Sequence, residues 1–350
     1  MASTYPGWLP LGMGSVPYTS ADQAWATVLR YLPHTPFWPQ LPRRSYLENM
    51  YVQFSEGFPG VVIEDQHIHV DRDQDLDPGL EHLYVAYLSD DISYGAISAD
   101  YSAGLAALQE GRVPLARPQP LLKGQVTGPI SWGLTVVDQN RRPLLYDEIL
   151  ADAIAKHLRL KASWQERLLA GRAASTLIFV DEPYLSAFGS AFVSLSRDQV
   201  IRYLHEVLAG ISGPKGIHCC GNTDWGILLE TPLDVLSLDA YEYAGSLALY
   251  PKEVAAFLER GGSIAWGIVP AGEAAEGETV EHLVERLHQA IDLLVEKGVD
   301  RQALLRAGWV SPSCGLGSLA PALAERVLEL TVGVSKVMRE QHGQSEGSSS

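Results

Sequence analysis

Cysteine is scarce in this 350-residue chain, with three in all, and its 26 lysines and arginines are outnumbered by 42 aspartates and glutamates. An odd, small number of cysteines excludes a disulfide-stapled scaffold and suits a reducing compartment, so a cytoplasmic protein is expected. The resulting formal charge of −16 turns away polynucleotides and anionic membrane surfaces, so neither is an expected partner. No run approaches 18 uninterrupted apolar residues, and residues 1–14 lack a basic segment followed by an apolar one, so no spanning helix or secretory leader is expected. What remains is an ordinary globular balance, 46% hydrophobic and 19% charged, able to build one large core. A single domain is expected over residues 1–340, followed by a disordered polar tail at 341–350.

Short runs rich in valine and isoleucine alternate with longer segments of helical periodicity, the pattern of repeated βα units around a parallel sheet. Strands are predicted at 11–15, 60–64, 122–127, 177–181, 216–220, 235–241, 263–268 and 304–310. Amphipathic helices are predicted at 147–169, 197–211, 251–260, 280–297 and 319–340. Eight strands at this chain length predict an α/β fold, a (β/α)8 TIM barrel. The stretch 18–58 breaks the rhythm with nine aromatic residues and the run Pro36-Phe37-Trp38-Pro39-Gln40-Leu41-Pro42. It is expected to be an aromatic, proline-rich insertion after the first strand that shapes one barrel mouth. Trp38, Trp132 and Trp266 either line a docking surface for a flat cofactor or fill core volume.

All three cysteines lie in two glycine-flanked segments, Gly216-Ile217-His218-Cys219-Cys220-Gly221-Asn222 and Ser311-Pro312-Ser313-Cys314-Gly315-Leu316-Gly317. In an extended run His218 and Cys220 face one way and Cys219 the other, so one strand end offers two metal ligands. Imidazole and thiolate are the ligands zinc prefers, which favours a zinc site over a buried cysteine pair beside a satisfied histidine. Other polar residues also fall where strands end: Ser15, the Thr127-Gly128-Pro129 turn, Asp181-Glu182-Pro183 and Glu242. In a parallel barrel these ends converge on the face that carries active sites. A competing pair, His67-Ile68-His69 followed by Asp71, has the spacing used by metal-dependent hydrolases, although the later strand ends add only His218.

These segments together resemble the uroporphyrinogen decarboxylase superfamily, and within it the catalytic half of cobalamin-independent methionine synthase in a short, core form. The resemblance spans about residues 12–334 and is carried by Gly12-Met13-Gly14-Ser15, Lys123-Gly124-Gln125-Val126-Thr127-Gly128-Pro129, Val180-Asp181-Glu182-Pro183, His218-Cys219-Cys220, Glu242 and Cys314-Gly315-Leu316. It implies zinc held by His218, Cys220, Glu242 and Cys314, Glu242 standing 22 residues beyond Cys220 as in the family. It also implies that Met13, Gly14 and Ser15 hold the carboxylate of homocysteine and that Asp181, as a catalytic and binding residue, holds its amino group. The implied activity is methyl transfer to a zinc-activated thiol, giving methionine.

The chain departs from the folate-dependent members after the seventh strand, where Trp266-Gly267-Ile268-Val269-Pro270 replaces Asp-Ile-His and its catalytic histidine. A methylated corrinoid donor is therefore expected, methylcobalamin or a corrinoid carrier protein as partner, because departing cobalt(I) needs no proton and a folate amine does. Alternatives are a 5-methyltetrahydrofolate-type donor and a methylcobalamin:coenzyme M methyltransferase, which Cys220-Gly221-Asn222-Thr223 also resembles. Asp181 argues against a sulfonate acceptor by charge. More distant alternatives are a metal-dependent hydrolase, a metal-free decarboxylase of the uroporphyrinogen type, and a non-enzymatic corrinoid- or thiol-binding module.

Overall fold

Nine strands form two sheets among the described residues, 7–190 and 193–342 of the computed structural model. They are β1 (Val61–Glu64), β2 (His67–Val70), β3 (Leu121–Thr127), β4 (Val137–Asp138), β5 (Ser175–Asp181), β6 (Lys215–Cys219), β7 (Val235–Leu238), β8 (Ser263–Val269) and β9 (Gly308–Pro312). The main sheet is parallel throughout, in the order β3-β5-β6-β7-β8-β9, with helices between successive strands. It is the curled sheet of an α/β fold of TIM-like type. The second sheet is a small three-stranded one, β1-β2-β4.

The expected strands at 122–127, 177–181, 216–220 and 263–268 coincide with β3, β5, β6 and β8. Four others differ, each for a local reason. The 60–64 run does not enter the parallel sheet: Asp65 and Gln66 both have positive φ (46° and 60°), a two-residue hairpin turn that folds β1 back onto β2 in antiparallel register. The 235–241 run stops at Leu238, because Asp239 caps the helix Ala240–Leu247 by accepting from the Glu242 amide. The 304–310 run splits, its first residues belonging to the helix Arg301–Arg306 capped by Asp300. The 11–15 run carries single parallel bridges instead of a ladder: Pro10 pairs with Val310, Ser15 with Gln40, and Phe37 with Lys123. Backbone pairing thus passes from β9 through residues 10–15 and 37–40 to β3.

Strand alternation divides the core in two. Leu9, Leu11, Leu121, Leu177, Phe179, Val235, Ala265 and Trp309 form a small separate cluster drawn from five strands and the N-terminal segment, the interior of the curl. Their neighbours Ile178, Val180, Ile217, Leu236, Ile264 and Val310 belong to the larger core, which packs the sheet's outer face against the helices. Inward positions beyond the apolar cluster are polar: Lys123, Gln125, Asp181, His218, Ser237 and Ser311.

The tryptophans belong to packing. Trp38, Trp132 and Trp266 are completely buried, which removes them from any docking surface. Trp38 Nε1 donates to Gln165 Oε1 (3.0 Å) and Trp132 Nε1 to the Tyr51 carbonyl (2.8 Å). Within the 18–58 stretch Trp25, Phe37, Trp38, Phe54 and Phe58 are all core residues. At the C-terminal end the last helix, Pro321–His342, takes in Gln341 and His342, the first two residues of the expected tail; residues 343–350 lie outside the described residues.

Candidate metal centre

His218, Cys220 and Cys314 come together at the C-terminal end of the parallel sheet. One imidazole nitrogen and the two Sγ atoms all lie within 4.8 Å of one another, the scale set by metal–ligand bonds of about 2.0–2.3 Å around one ion. His218 is buried on β6, Cys220 is half-buried just past the strand, and Cys314 is exposed in the loop after β9. His218 Nδ1 lies 3.0 Å from Oγ of Ser237, its register partner on β7. His218 Nε2 is buried with no hydrogen-bond partner. With Nδ1–H donating to Ser237 the Nε2 lone pair would be left open, the usual second contact of a metal-binding histidine.

The two thiols lie side by side and shift each other in opposite directions. The hydrogen bond from Cys220 holds Cys314 well below the ordinary thiol range, aided by His218, while Cys220 is pushed up. A metal cation there would hold both sulfurs as thiolates. Cys219, as alternation requires, faces away: it is buried, its Sγ lies 3.5 Å from the Gly221 carbonyl, and burial pushes its thiol up to about 12.

The turn Met13-Gly14-Ser15 abuts this cluster and ties down its outer loop. Gly14 has φ of 142°, and a Cβ there would come within 2.6 Å of Gln125 Cδ, so only glycine fits. Ser15 Oγ accepts from the Gly317 amide (3.2 Å) and its carbonyl from the Leu316 amide (3.0 Å), anchoring the loop that carries Cys314. The Met13 carbonyl accepts from Lys123 Nζ (2.8 Å), and Met13 Sδ lies 3.8 Å from Ser237 Oγ.

Two adjacent carboxylates have different tasks. Asp181 ends β5 with Oδ1 buried and without a hydrogen-bond partner; burial pushes its carboxyl up to about 6, against the pull of Lys123 and His218. Glu182 is fully buried and accepts from the Ile130 amide (2.9 Å), the Ser131 amide (2.8 Å) and Ser131 Oγ (2.6 Å). It therefore caps the helix that begins at Pro129, and Gly128 is obligatory because a Cβ there would lie 2.1 Å from Glu182 Oε1. The Thr-Gly-Pro motif is thus explained by architecture.

Glu242 stands apart from the other three expected ligands. It is exposed in the first turn of the helix Ala240–Leu247 and is not in the group whose donor atoms lie within 4.8 Å. Among the described residues that group is the one cluster of histidine, cysteine and carboxylate suited to a metal. His67 and His69 do not form another, so the hydrolase alternative has no metal centre there.

No family model and no curated protein matches the sequence. Solved structures do match. A B12-independent methionine synthase from Shewanella sp. W3-18-1, determined in complex with selenomethionine, superposes with a TM-score of 0.56 at 16% identity, covering 95% of this chain and 98% of that one. A methyltransferase from Methanosarcina mazei superposes with a TM-score of 0.58 at 12% identity, covering 95% and 94%. At such identities the likeness establishes the α/β fold along nearly the whole chain, while the site rests on this chain's own residues.

Sequence reasoning missed Ser237 and left Lys123 without a role. The signal for Ser237 was a lone hydroxyl in Val235-Leu236-Ser237-Leu238, opposite a histidine once the strands are aligned. No helix among the described residues is long and apolar enough to cross a membrane.

Proposed function

We propose that this chain is a zinc-dependent methyltransferase of the uroporphyrinogen decarboxylase superfamily, like the catalytic half of cobalamin-independent methionine synthase in its core form, and that it methylates homocysteine to methionine. The reading is carried by the convergence of His218, Cys220 and Cys314 from two distant segments, with a buried, unpartnered Nε2 aimed for a ligand role. The fold shared with a methionine synthase and a methyltransferase supports it. We take residues 10–15 and 37–40 as the first two strands of an eight-stranded ring, and residues 1–340 as one cytoplasmic catalytic domain.

The donor set fits zinc: an imidazole whose Nδ1 is partnered by Ser237 and whose Nε2 has no partner, beside two thiols. His218, Cys220 and Cys314 would hold it, and Glu242, which stands apart from them in the first turn of the helix Ala240–Leu247, would be the fourth and hardest ligand. Bound zinc supplies deprotonation of the acceptor thiol at neutral pH while leaving the sulfur nucleophilic. Asp181 takes the ammonium group of homocysteine and the Met13-Gly14-Ser15 turn its carboxylate, aligning the sulfur for in-line displacement. The sulfur–carbon bond forms as the methyl carbon leaves its donor.

For the donor, the absence of a histidine from Trp266-Gly267-Ile268-Val269-Pro270 favours a methylated corrinoid, free methylcobalamin or a carrier protein. The B12-independence of the Shewanella enzyme favours 5-methyltetrahydrofolate instead, so both belong in the test. Zinc-loaded protein is offered each donor with homocysteine or coenzyme M. Methionine formed from one donor, and lost on zinc removal, is the expected result. Methylation of coenzyme M alone would change the acceptor, and turnover of neither thiol with either donor would overturn the reading.

A further inference from the structure

Lys123 is a completely buried lysine inside the curled sheet. Its Nζ donates to the Met13 carbonyl (2.8 Å), lies 3.4 Å from Gln125 Oε1 and sits 4.7 Å from the centroid of the Phe179 ring. Directly below is the apolar cluster of Leu121, Leu177, Phe179 and Trp309, where a methionine or leucine would pack without the cost of burying an ammonium group. Phe179 and Asp181 are alternate residues on one face of β5, so the ammonium lies one inward step below the Asp181 carboxylate. Asp181 Oδ1 is itself buried without a hydrogen-bond partner. A fixed cation behind the Met13-Gly14-Ser15 backbone and an open carboxylate beside it make a charge pattern complementary to a zwitterion.

We propose that Lys123 is the positioning residue of the amino-acid subsite: it anchors the Met13 carbonyl and sets a fixed positive charge behind the Met13-Gly14-Ser15 turn, so that thiols bearing a carboxylate are preferred. The inference rests on the methyltransferase reading and assigns its acceptor specificity to a residue outside the metal centre. Burial lowers the Lys123 ammonium to about 8, with Asp181 pulling the other way, so the charge persists at neutral pH. The turn in turn holds the Cys314 loop through Ser15, so one side chain links the subsite to the cluster.

The test uses cobalt(II) loaded in place of zinc, whose absorption reports thiolate binding without any methyl donor. Wild type, Lys123→Met and Asp181→Asn are titrated with homocysteine, with 3-aminopropane-1-thiol, which lacks the carboxylate, and with 4-mercaptobutanoate, which lacks the amine. In wild type homocysteine binds tighter than either analogue by about tenfold or more. Lys123→Met erases the preference over 3-aminopropane-1-thiol and retains that over 4-mercaptobutanoate, while Asp181→Asn does the reverse. A merely structural lysine would weaken all three thiols alike, and that result, or an unchanged preference in Lys123→Met, overturns the inference with the methyltransferase reading intact. Wild-type protein that binds cobalt yet answers to no thiol removes the reading itself and the inference with it. If Lys123→Met does not load one cobalt per chain, Lys123→Gln, which keeps a donor and removes the charge, is judged by the same criteria.

Discussion

His218-Cys219-Cys220 and His67-Ile68-His69 have the same spacing, two ligand-type side chains on one side of an extended run, and the fold treats them in opposite ways. β6 lies inside the parallel sheet, so its C-terminal end opens onto the mouth that the loop after β9 also reaches, and Cys314 arrives as a third donor. β2 lies in the small peripheral sheet, with His67 exposed opposite Glu64, and Asp71 is taken up by Gln74 Nε2 (2.9 Å) and the Asp73 amide (3.0 Å). Spacing supplies two ligands; the third comes from topology.

The sharpest way to break the contrast is Cys220→Ser, which should abolish stoichiometric zinc binding and zinc-dependent turnover while leaving the fold in place by circular dichroism. Next comes Trp266→Ala, which should cost about 3–5 kcal/mol in denaturant unfolding because the side chain is core. A loss specific to methylcobalamin use at unchanged stability would instead revive the docking surface. Ser237→Ala removes the partner of His218 Nδ1 and should weaken zinc about 10- to 100-fold in competition with a chelator, without changing stoichiometry.

His157 adds a third fate for a histidine, held neutral in the core. Its Nε2 lies 2.8 Å from the Phe54 carbonyl, and burial pushes its pKa down to about 3. The unfolded chain therefore binds the extra proton between the ordinary histidine range near 6.5 and that value, so the contribution of the neutral ring is present above about 6.5 and lost as pH falls. The stability advantage of wild type over His157→Gln should shrink by about 1.4 kcal/mol per pH unit below that point. A gap independent of pH would show that the ring is not held neutral.

Much of the fold was legible because parallel strands buried on both faces are continuous apolar runs, as in Leu177-Ile178-Phe179-Val180 and Ile264-Ala265-Trp266. The N-terminal segment that bridges β9 to β3 was not. Pro10, Pro36 and Pro39 lack amide donors, and the pairing there reduces to single bridges that leave no strand pattern. The hairpin at Asp65-Gln66 was hidden because its positive φ values fall on residues other than glycine or asparagine. In the candidate site, His218 and Cys220 were legible from residue type and strand alternation, while Cys314 and Glu242 came from the family resemblance, and the structure brings only Cys314 of these two into the cluster. Ser237 and Lys123 were not, since a lone polar residue in an apolar strand acquires meaning only when the neighbouring strand and the Met13 turn are in place.

The most direct measurement is zinc per chain in the purified wild type, in Cys314→Ser and in His67→Ala. The account predicts about one zinc in wild type, none retained in Cys314→Ser and an unchanged content in His67→Ala. Zinc kept in Cys314→Ser, or lost in His67→Ala, would contradict it.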